Sequence, residues 1–402
     1  MKILQINAVY GIGSTGKIVR DISDKLIELG HESYVMWAIE CKKTTDKVKL
    51  ERVGTLVDHK IHALLRRIDG GRGMHSMLAT KRACKKILEI SPDVVHLHNI
   101  HGNFMHLPTL LSFLGKHDIP TLVTMHDCWF VSGYCTYYTH YGCDRWLTGC
   151  HDCPAVSKRL KKNIEKIYSK KERLYVDMQR LAINGVSKWT TNAAKQSILR
   201  YASNIECIYN FIDTELFQPQ NNQAETREKY RVASNRKLIL GVSQLWTAKK
   251  GLDAFLMLAD KFSDTADVIL VGKCEDIPSK PNLKCIGFTA NVNELIDLYS
   301  AADVFVNASS ADTFGLVTVE AMACGTPVVA FDNTGASELV SVECGILAKD
   351  GDYQSLLDGV TEVLDNGKER YSSACRDYVC ANFEKNNQLL KYIDFYKRIS
   401  SK

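Results

Sequence analysis

Asp303-Val304-Phe305-Val306-Asn307 leads through a loop carrying Asp312 into Thr313-Phe314-Gly315-Leu316-Val317-Thr318-Val319-Glu320-Ala321-Met322-Ala323-Cys324-Gly325-Thr326-Pro327-Val328-Val329. This stretch spells strand, loop, helix, strand. The apolar run at 304–307 has the length of a buried strand. A helix starts near Gly315, buries Leu316, Val319 and Met322, and stops at Gly325. Pro327 opens the next strand. Parallel strands need a crossover of this kind. Ligands of open parallel sheets bind outside the carboxyl ends of the strands, where the Asp312 loop falls. A plain buried helix explains the apolar spacing, but not the acids, Phe-Gly and Gly-x-Pro together.

The alternation extends both ways. Strands are expected at Leu238–Val242, Val268–Val271 and Pro327–Phe331, with helices at Leu252–Phe262 and Val292–Ala301 and a helical tail after Asp352. The first half repeats it, with strands at Lys2–Ala8, Ser33–Ala38, Asp93–Leu97 and Thr121–Met125 and a helix at Thr15–Leu29. Strands alternating with helices argue for doubly wound parallel sheets. A length of 402 residues fits two such α/β domains. The polar stretch Gln218–Arg236 reads as the linker. Residues 128–155, rich in Cys, Tyr, Gly and Trp, read as an irregular insertion.

The net charge of +5 conceals a polarity. Residues 1–200 hold 31 Lys and Arg against 18 Asp and Glu; residues 201–402 hold 20 against 28. The basic half suits an anionic partner. No recognisable nucleic-acid module is present. No run approaches the ~18 apolar residues of a membrane span, and Met1-Lys2 leads into a strand rather than a signal peptide. A cytoplasmic protein is expected, and its 14 Cys then read as thiols or metal ligands rather than a disulfide framework.

Gly11-Ile12-Gly13-Ser14-Thr15-Gly16-Lys17 follows the first strand and opens the first helix. It matches the dinucleotide fingerprint, with Glu40 placed as a ribose acid, and nearly matches a P-loop, failing at Ile18. A ligand-free turn is the plain alternative. Each ligand reading has glycines admitting a diphosphate to a helix N-terminus. By itself the loop leaves a nicotinamide-dependent dehydrogenase open.

With seven residues between its two acids, around Phe-Gly and before Glu-Ala-Met-Ala-Cys-Gly-x-Pro-Val, the 312–328 region resembles glycosyltransferase family 4. Asn210-Phe211-Ile212-Asp213 through Phe217 and Pro219 is similar to the family's hinge segment, with Phe211 in place of Gly. Gly241-Val242-Ser243-Gln244 through Lys249-Lys250-Gly251 is similar to its donor-phosphate strand and loop, with Gln244 where Arg is usual. The resemblance implies a GT-B fold: two Rossmann-like doubly wound domains facing a central cleft. Residues 1–212, joined by the last helix at 386–402, form the acceptor side, and residues 213–385 bind a nucleotide-sugar donor. Glu320 then holds the ribose. Asp312, usually Glu in the family, meets the sugar. The backbone of Phe314, Gly315 and Leu316 faces sugar and diphosphate. Gln244 and Lys250 stand at the phosphates, and Gly13 and Gly16 lie beneath them. Transfer would retain anomeric configuration and require no catalytic metal. A GT-B protein that only binds glycan is the non-catalytic alternative.

His126-Asp127 ends the strand at 121–125, where the family places a His near the donor sugar and acceptor. His98, with His96 and His101, follows an earlier strand and could line the same site; His98 and Asp127 are acceptor candidates. The 126–154 segment resembles a bacterial colanic-acid and O-antigen subgroup. Its Cys135, Cys143, Cys150 and Cys153, including one Cys-x-x-Cys, can bind structural zinc or stay as buried thiols. The implied acceptor is a lipid-diphosphate-linked glycan. The basic helix 158–174 and Lys60–Arg67 would favour an anionic membrane on the inner face of the plasma membrane; an exposed soluble helix is the alternative.

Overall fold

The computed structural model describes residues 1–43, 45–275 and 277–401. Its chain divides into two compact units, Met1–Tyr209 with Leu389–Lys402, and Asn210–Gln388.

In the first unit the strands are β1 Lys2–Ile6, β2 Val9–Tyr10, β3 Glu32–Trp37, β4 Glu40–Cys41, β5 Lys49–Arg52, β6 Val94–Leu97, β7 Thr121–Met125, β8 Leu181–Gly185 and β9 Asn204–Cys207. The helices are α1 Gly13–Glu28, α2 Leu56–Asp69, α3 Met77–Ile90, α4 Leu107–Lys116, α5 Lys161–Val176 and α6 Lys188–Gln196. The second unit holds β10 Lys237–Leu245, β11 Ala266–Lys273, β12 Leu283–Cys285, β13 Val304–Asn307, β14 Val328–Asp332 and β15 Gly345–Lys349. Its helices are α7 Gln223–Lys229, α8 Leu252–Lys261, α9 Val292–Ala301, α10 Leu316–Ala323, α11 Tyr353–Asn366 and α12 Glu369–Phe383. The last helix, α13 Lys385–Ser400, begins in the second unit and ends in the first.

Both main sheets are parallel. The first runs β5-β3-β1-β6-β7-β8-β9 and the second β12-β11-β10-β13-β14-β15. Each starts in the middle, builds to one edge, then returns to build the other. The order reverses between β1 and β6, and between β10 and β13, opening a ligand crevice at those strand ends. Central strands are apolar on both faces because helices cover both: β7 and β13 are buried at every residue.

Three sequence expectations change. Gln218–Arg236 is not a linker. Its α7 docks into the second unit, with Arg227 paired to Asp303 at 2.5 Å and Asn222 bonded to Asp297 at 2.9 Å. The chain instead changes units at 209/210 and 388/389. There the Ile212 amide donates to Phe383 O and the Lys385 amide to Ile212 O, both at 2.9 Å, so the two crossings run side by side. Second, Cys274, just past the end of β11, forms a disulfide with Cys285 on the neighbouring edge strand β12. Third, Lys171 is not part of a solvated basic face. It is wholly buried, donates to the carbonyls of Trp129 and Ser132 at 2.6 and 2.9 Å, and lies 3.5 Å from the Trp129 ring centre. It fastens the irregular insertion to the first core. Burial pulls its ammonium well below the usual lysine range.

The end of α13 is pinned in the first unit by His96, whose Nδ1 meets the Tyr396 hydroxyl at 2.7 Å while Nε2 meets Thr124 Oγ1 at 2.7 Å. All three residues are buried. Tyr396→Phe leaves a buried ring nitrogen unpaired, so it should cost about 1–3 kcal/mol. Earlier urea unfolding checks this; an unchanged midpoint would show that the bond contributes nothing.

Candidate active site

The second unit assembles its polar groups where its strand order reverses. β10 ends in a loop that turns at Gly251, with φ +79°. A Cβ there would stand 2.4 Å from Ala308 Cβ and 2.5 Å from Ala308 O, so only glycine lets this loop lie against the end of β13. That contact carries Lys250 onto the β13 loop. Its ammonium meets Asp312 Oδ1 at 2.6 Å and Ser309 Oγ at 3.3 Å. Asn307 Nδ2 reaches the other Asp312 oxygen at 3.3 Å and Thr318 Oγ1 on α10 at 3.0 Å. Asn307 Oδ1 accepts the Ser309 amide at 3.1 Å. Two strand ends and a helix are thereby tied at one point. Asn307, Ser309 and Thr318 escaped the sequence reading, because small polar residues in a loop have no distinctive spacing.

Gly315 caps α10 with φ +95°, and no side chain caps the first turn. The amides of Gly315 and Leu316 therefore suit an anion. The Phe314 side chain turns inward, edge-on to Phe383 at 5.5 Å between centroids, so it is the backbone that this position can offer to a ligand. Glu320, half-buried on α10, accepts from the hydroxyl of wholly buried Tyr299 at 2.8 Å, which fixes one carboxylate oxygen. Gln244 is exposed on β10.

In the first unit, the glycine loop also lies at the reversal. Gly11 (φ +72°) presses on the Lys42 carbonyl, where a Cβ would come within 2.5 Å. Gly16, inside α1, packs on Val9, with a Cβ 3.1 Å from its Cγ2. Gly13 (φ +65°) opens α1 with free space around it, and no side chain caps that helix. Close packing explains Gly11 and Gly16; the open N-terminus at Gly13 can receive an anion.

Comparisons with known proteins give the class. The sequence profile described as Glycosyltransferase Family 4 matches residues 15–216, half of the chain, and the one described as Glycosyl transferases group 1 matches residues 236–366. The chain belongs to glycosyltransferase family 4. It is 23% identical to the putative colanic acid biosynthesis glycosyl transferase WcaC of Escherichia coli, over 77% of each chain. It is 24% identical to the N,N'-diacetylbacillosaminyl-diphospho-undecaprenol α-1,3-N-acetylgalactosaminyltransferase of Campylobacter jejuni, over 56% of this chain and 65% of the relative. Among solved structures, HepE from Anabaena in complex with UDP superposes with a TM-score of 0.69 at 17% identity, covering 99% of this chain and 100% of that one. The fold is GT-B, and the transferase class replaces the dehydrogenase reading of the glycine loop.

The transferase's histidines form a buried relay. Gln5 Nε2 donates to Val19 O at 3.1 Å and to Ser23 Oγ at 2.9 Å, which fixes its amide. Gln5 Oε1 then accepts from His98 Nε2 at 3.1 Å. His98 Nδ1 must therefore accept from His126 Nε2, at 2.9 Å, and Nδ1 is the lone-pair nitrogen of His126. Burial lowers His126 to about 3 and holds His98 well below its ordinary value. Neutral His126 is thus a positioned acceptor rather than a base poised near neutrality. His96, whose ring centre lies 3.9 Å from that of His98, bonds instead to Tyr396 and Thr124. His101 Nε2 lies 3.2 Å from Asp127 Oδ2, and Asp127 Oδ1 accepts the Trp129 amide at 2.9 Å. Burial lowers the His101 pKa, and the Asp127 charge partly opposes the shift.

The four insertion cysteines share one neighbourhood. The Cys135 thiol is hydrogen-bonded to Cys153, lowering Cys153 to about 6 and raising Cys135. Cys150 Sγ accepts the Gly133 amide at 3.2 Å. Among the described residues, no group of three or more His, Cys, Asp or Glu side chains stands where it could hold a metal ion.

A folded His126 that stays neutral to about pH 3, against 6.5 unfolded, binds fewer protons than the unfolded chain between those values. Stability should therefore fall as pH drops below about 6.5, by up to about 1.4 kcal/mol per pH unit for this ring. Unfolding midpoints at pH 7 and pH 5 measure the slope, and His126→Asn should flatten it. An equal slope in the variant would contradict the assignment.

Proposed function

We propose that this transferase moves a sugar from a GDP- or UDP-linked donor onto a lipid-diphosphate-linked glycan of a bacterial surface polysaccharide, such as O-antigen or exopolysaccharide, with retention of anomeric configuration. The observation that carries this reading is the joining of Lys250, Asp312 and Asn307 where the second sheet reverses, next to the uncapped N-terminus of α10. Lys250 and the Gly315 and Leu316 amides offer positive charge to a diphosphate, and Glu320 offers a carboxylate to ribose hydroxyls. Gln244 is assigned to the phosphates' margin, and Gly13, with Gly16, to anion contact at the N-terminus of α1.

The chemistry follows from those charges. As the anomeric carbon–oxygen bond loosens, negative charge gathers on the departing nucleoside diphosphate, where cations and amides stabilise it most. The sugar becomes oxocarbenium-like, and Asp312 orients it. The acceptor hydroxyl attacks from the face the leaving group vacates, and a donor phosphate oxygen takes its proton. His126, neutral and buried, fits orientation better than proton removal. The protein then acts by positioning and charge stabilisation.

The acceptor reading is supported by the Campylobacter relative, whose name specifies a diphospho-undecaprenol-linked substrate. His98 and Asp127 are assigned to the acceptor side. Among the described residues no helix is long and apolar enough to cross a membrane, so a lipid-linked acceptor calls for peripheral association with the inner face of the plasma membrane.

Glu320→Ala should lower kcat/KM about 10–100-fold, the worth of charge-assisted hydrogen bonds of about 1.5–3 kcal/mol, while the fold survives. Lys250→Met should lower kcat about 10²–10³-fold, as for removal of one transition-state donor. Nucleoside diphosphate release reads both. Wild-type turnover in either variant would falsify the assignment, and product of inverted configuration would end the retaining mechanism.

A further inference from the structure

Helix α2 is built inside out. At about 100° per residue, Val57, Ile61, Leu64, Leu65 and Ile68 form one stripe, the apolar face that ordinarily turns inward. Here it faces solvent: Val57 is 64% exposed, Ile61 52%, Leu64 57% and Ile68 60%. The inward face is the polar one. His62 is buried and bonds Ser76 Oγ at 2.8 Å, His59 reaches Val53 O at 2.9 Å, and Arg66 reaches Asn103 at 3.3 Å. The orientation is fixed at the N-terminus as well, where Thr55 and Asp58 form a capping box. Turning the stripe inward would break these bonds, so the exposure is specified by the fold.

The surroundings say what covers the stripe. Lys60 and Arg67 are exposed along one flank. The helix's acids are occupied, Asp58 by the Thr55 amide at 2.8 Å and Asp69 by the Gly71 amide at 2.7 Å and His75 at 3.1 Å. The end of α2 abuts the start of α5, where Asn163 Nδ2 bonds Asp69 O at 2.5 Å. That start, with the turn just before it, brings exposed Lys158, Arg159 and Lys162. An apolar stripe rimmed by cations is the complement of a bilayer surface with acyl chains beneath anionic headgroups. A protein partner that buries apolar surface has no comparable need of the basic rim.

We propose that α2 inserts its Val57–Ile68 stripe into the headgroup–acyl boundary of an anionic membrane, with Lys60 and Arg67 at the phosphate level. This rests on the peripheral reading of the function and names the element that performs it. It is tested on the full chain without any sugar donor, so its failure leaves the transferase assignment untouched.

The wild-type chain should sediment with vesicles of phosphatidylcholine and phosphatidylglycerol, and far less with phosphatidylcholine alone. The combined Ile61→Ser, Leu64→Ser and Ile68→Ser variant should lose tenfold or more of that binding, at an unchanged thermal midpoint because the replaced side chains are exposed. Lys60→Glu with Arg67→Glu should lose at least about fivefold per charge, an effect that salt abolishes. Leu64→Trp should emit at shorter wavelength when vesicles are added. Undiminished sedimentation of the serine variant overturns the proposal, as does water-like emission from Trp at position 64 on bound vesicles. A wild-type dimer that the serine variant dissolves, without vesicle binding, also overturns it by naming a second copy as the occupant.

Discussion

Lys250 and Asp312 come from the ends of two neighbouring strands and meet at 2.6 Å where the strand order of the second sheet reverses. That contact depends on a backbone approach only Gly251 permits, because any Cβ would collide with Ala308. Around it the parallel sheet turns the carboxyl ends of β10 and β13 to one side and sets the N-terminus of α10 beside them. The charge arrangement that defines the site is thus a consequence of the sheet's topology and of one missing methyl group.

The pair also balances the site before any ligand arrives. A lysine beside a carboxylate is held in place without an anion, and the same ammonium can turn to a diphosphate when one is present. Asn307 holds the second Asp312 oxygen and ties it to α10, so the carboxylate keeps its place through such an exchange. Opposite charges that hold one another supply preorganisation at little reorganisation cost.

Much of this was legible in the sequence. The strands at 121–125 and 304–307 and the helix at 292–301 followed from apolar runs and periodicity, and the acids with Phe-Gly and Gly-x-Pro indicated the family. Three features were not legible, each for a physical reason. Lys171 looks like its neighbours on a basic helix, and only the insertion folding over it makes it a core residue. Arg227 and Arg236 make a segment look like a polar linker, yet they pair with Asp303 and Asp267 across the second unit. His96 and His98 are two residues apart on one strand end and share a face, yet one holds the last helix and the other orients His126. Tertiary partners, absent from local pattern, decide all three.

The outward apolar face of α2 belongs with these. Periodicity identifies an amphipathic helix but does not say which side faces the core. The buried bonds of His59, His62 and Arg66 settle that here.

Calorimetric titration of the protein with UDP, GDP and NAD tests the central claim most directly. The account predicts that one nucleoside diphosphate binds in preference to NAD, and that Lys250→Met weakens it tenfold or more with the fold intact. Tight binding of NAD, or equal nucleoside diphosphate affinity with and without the Lys250 ammonium, would contradict it.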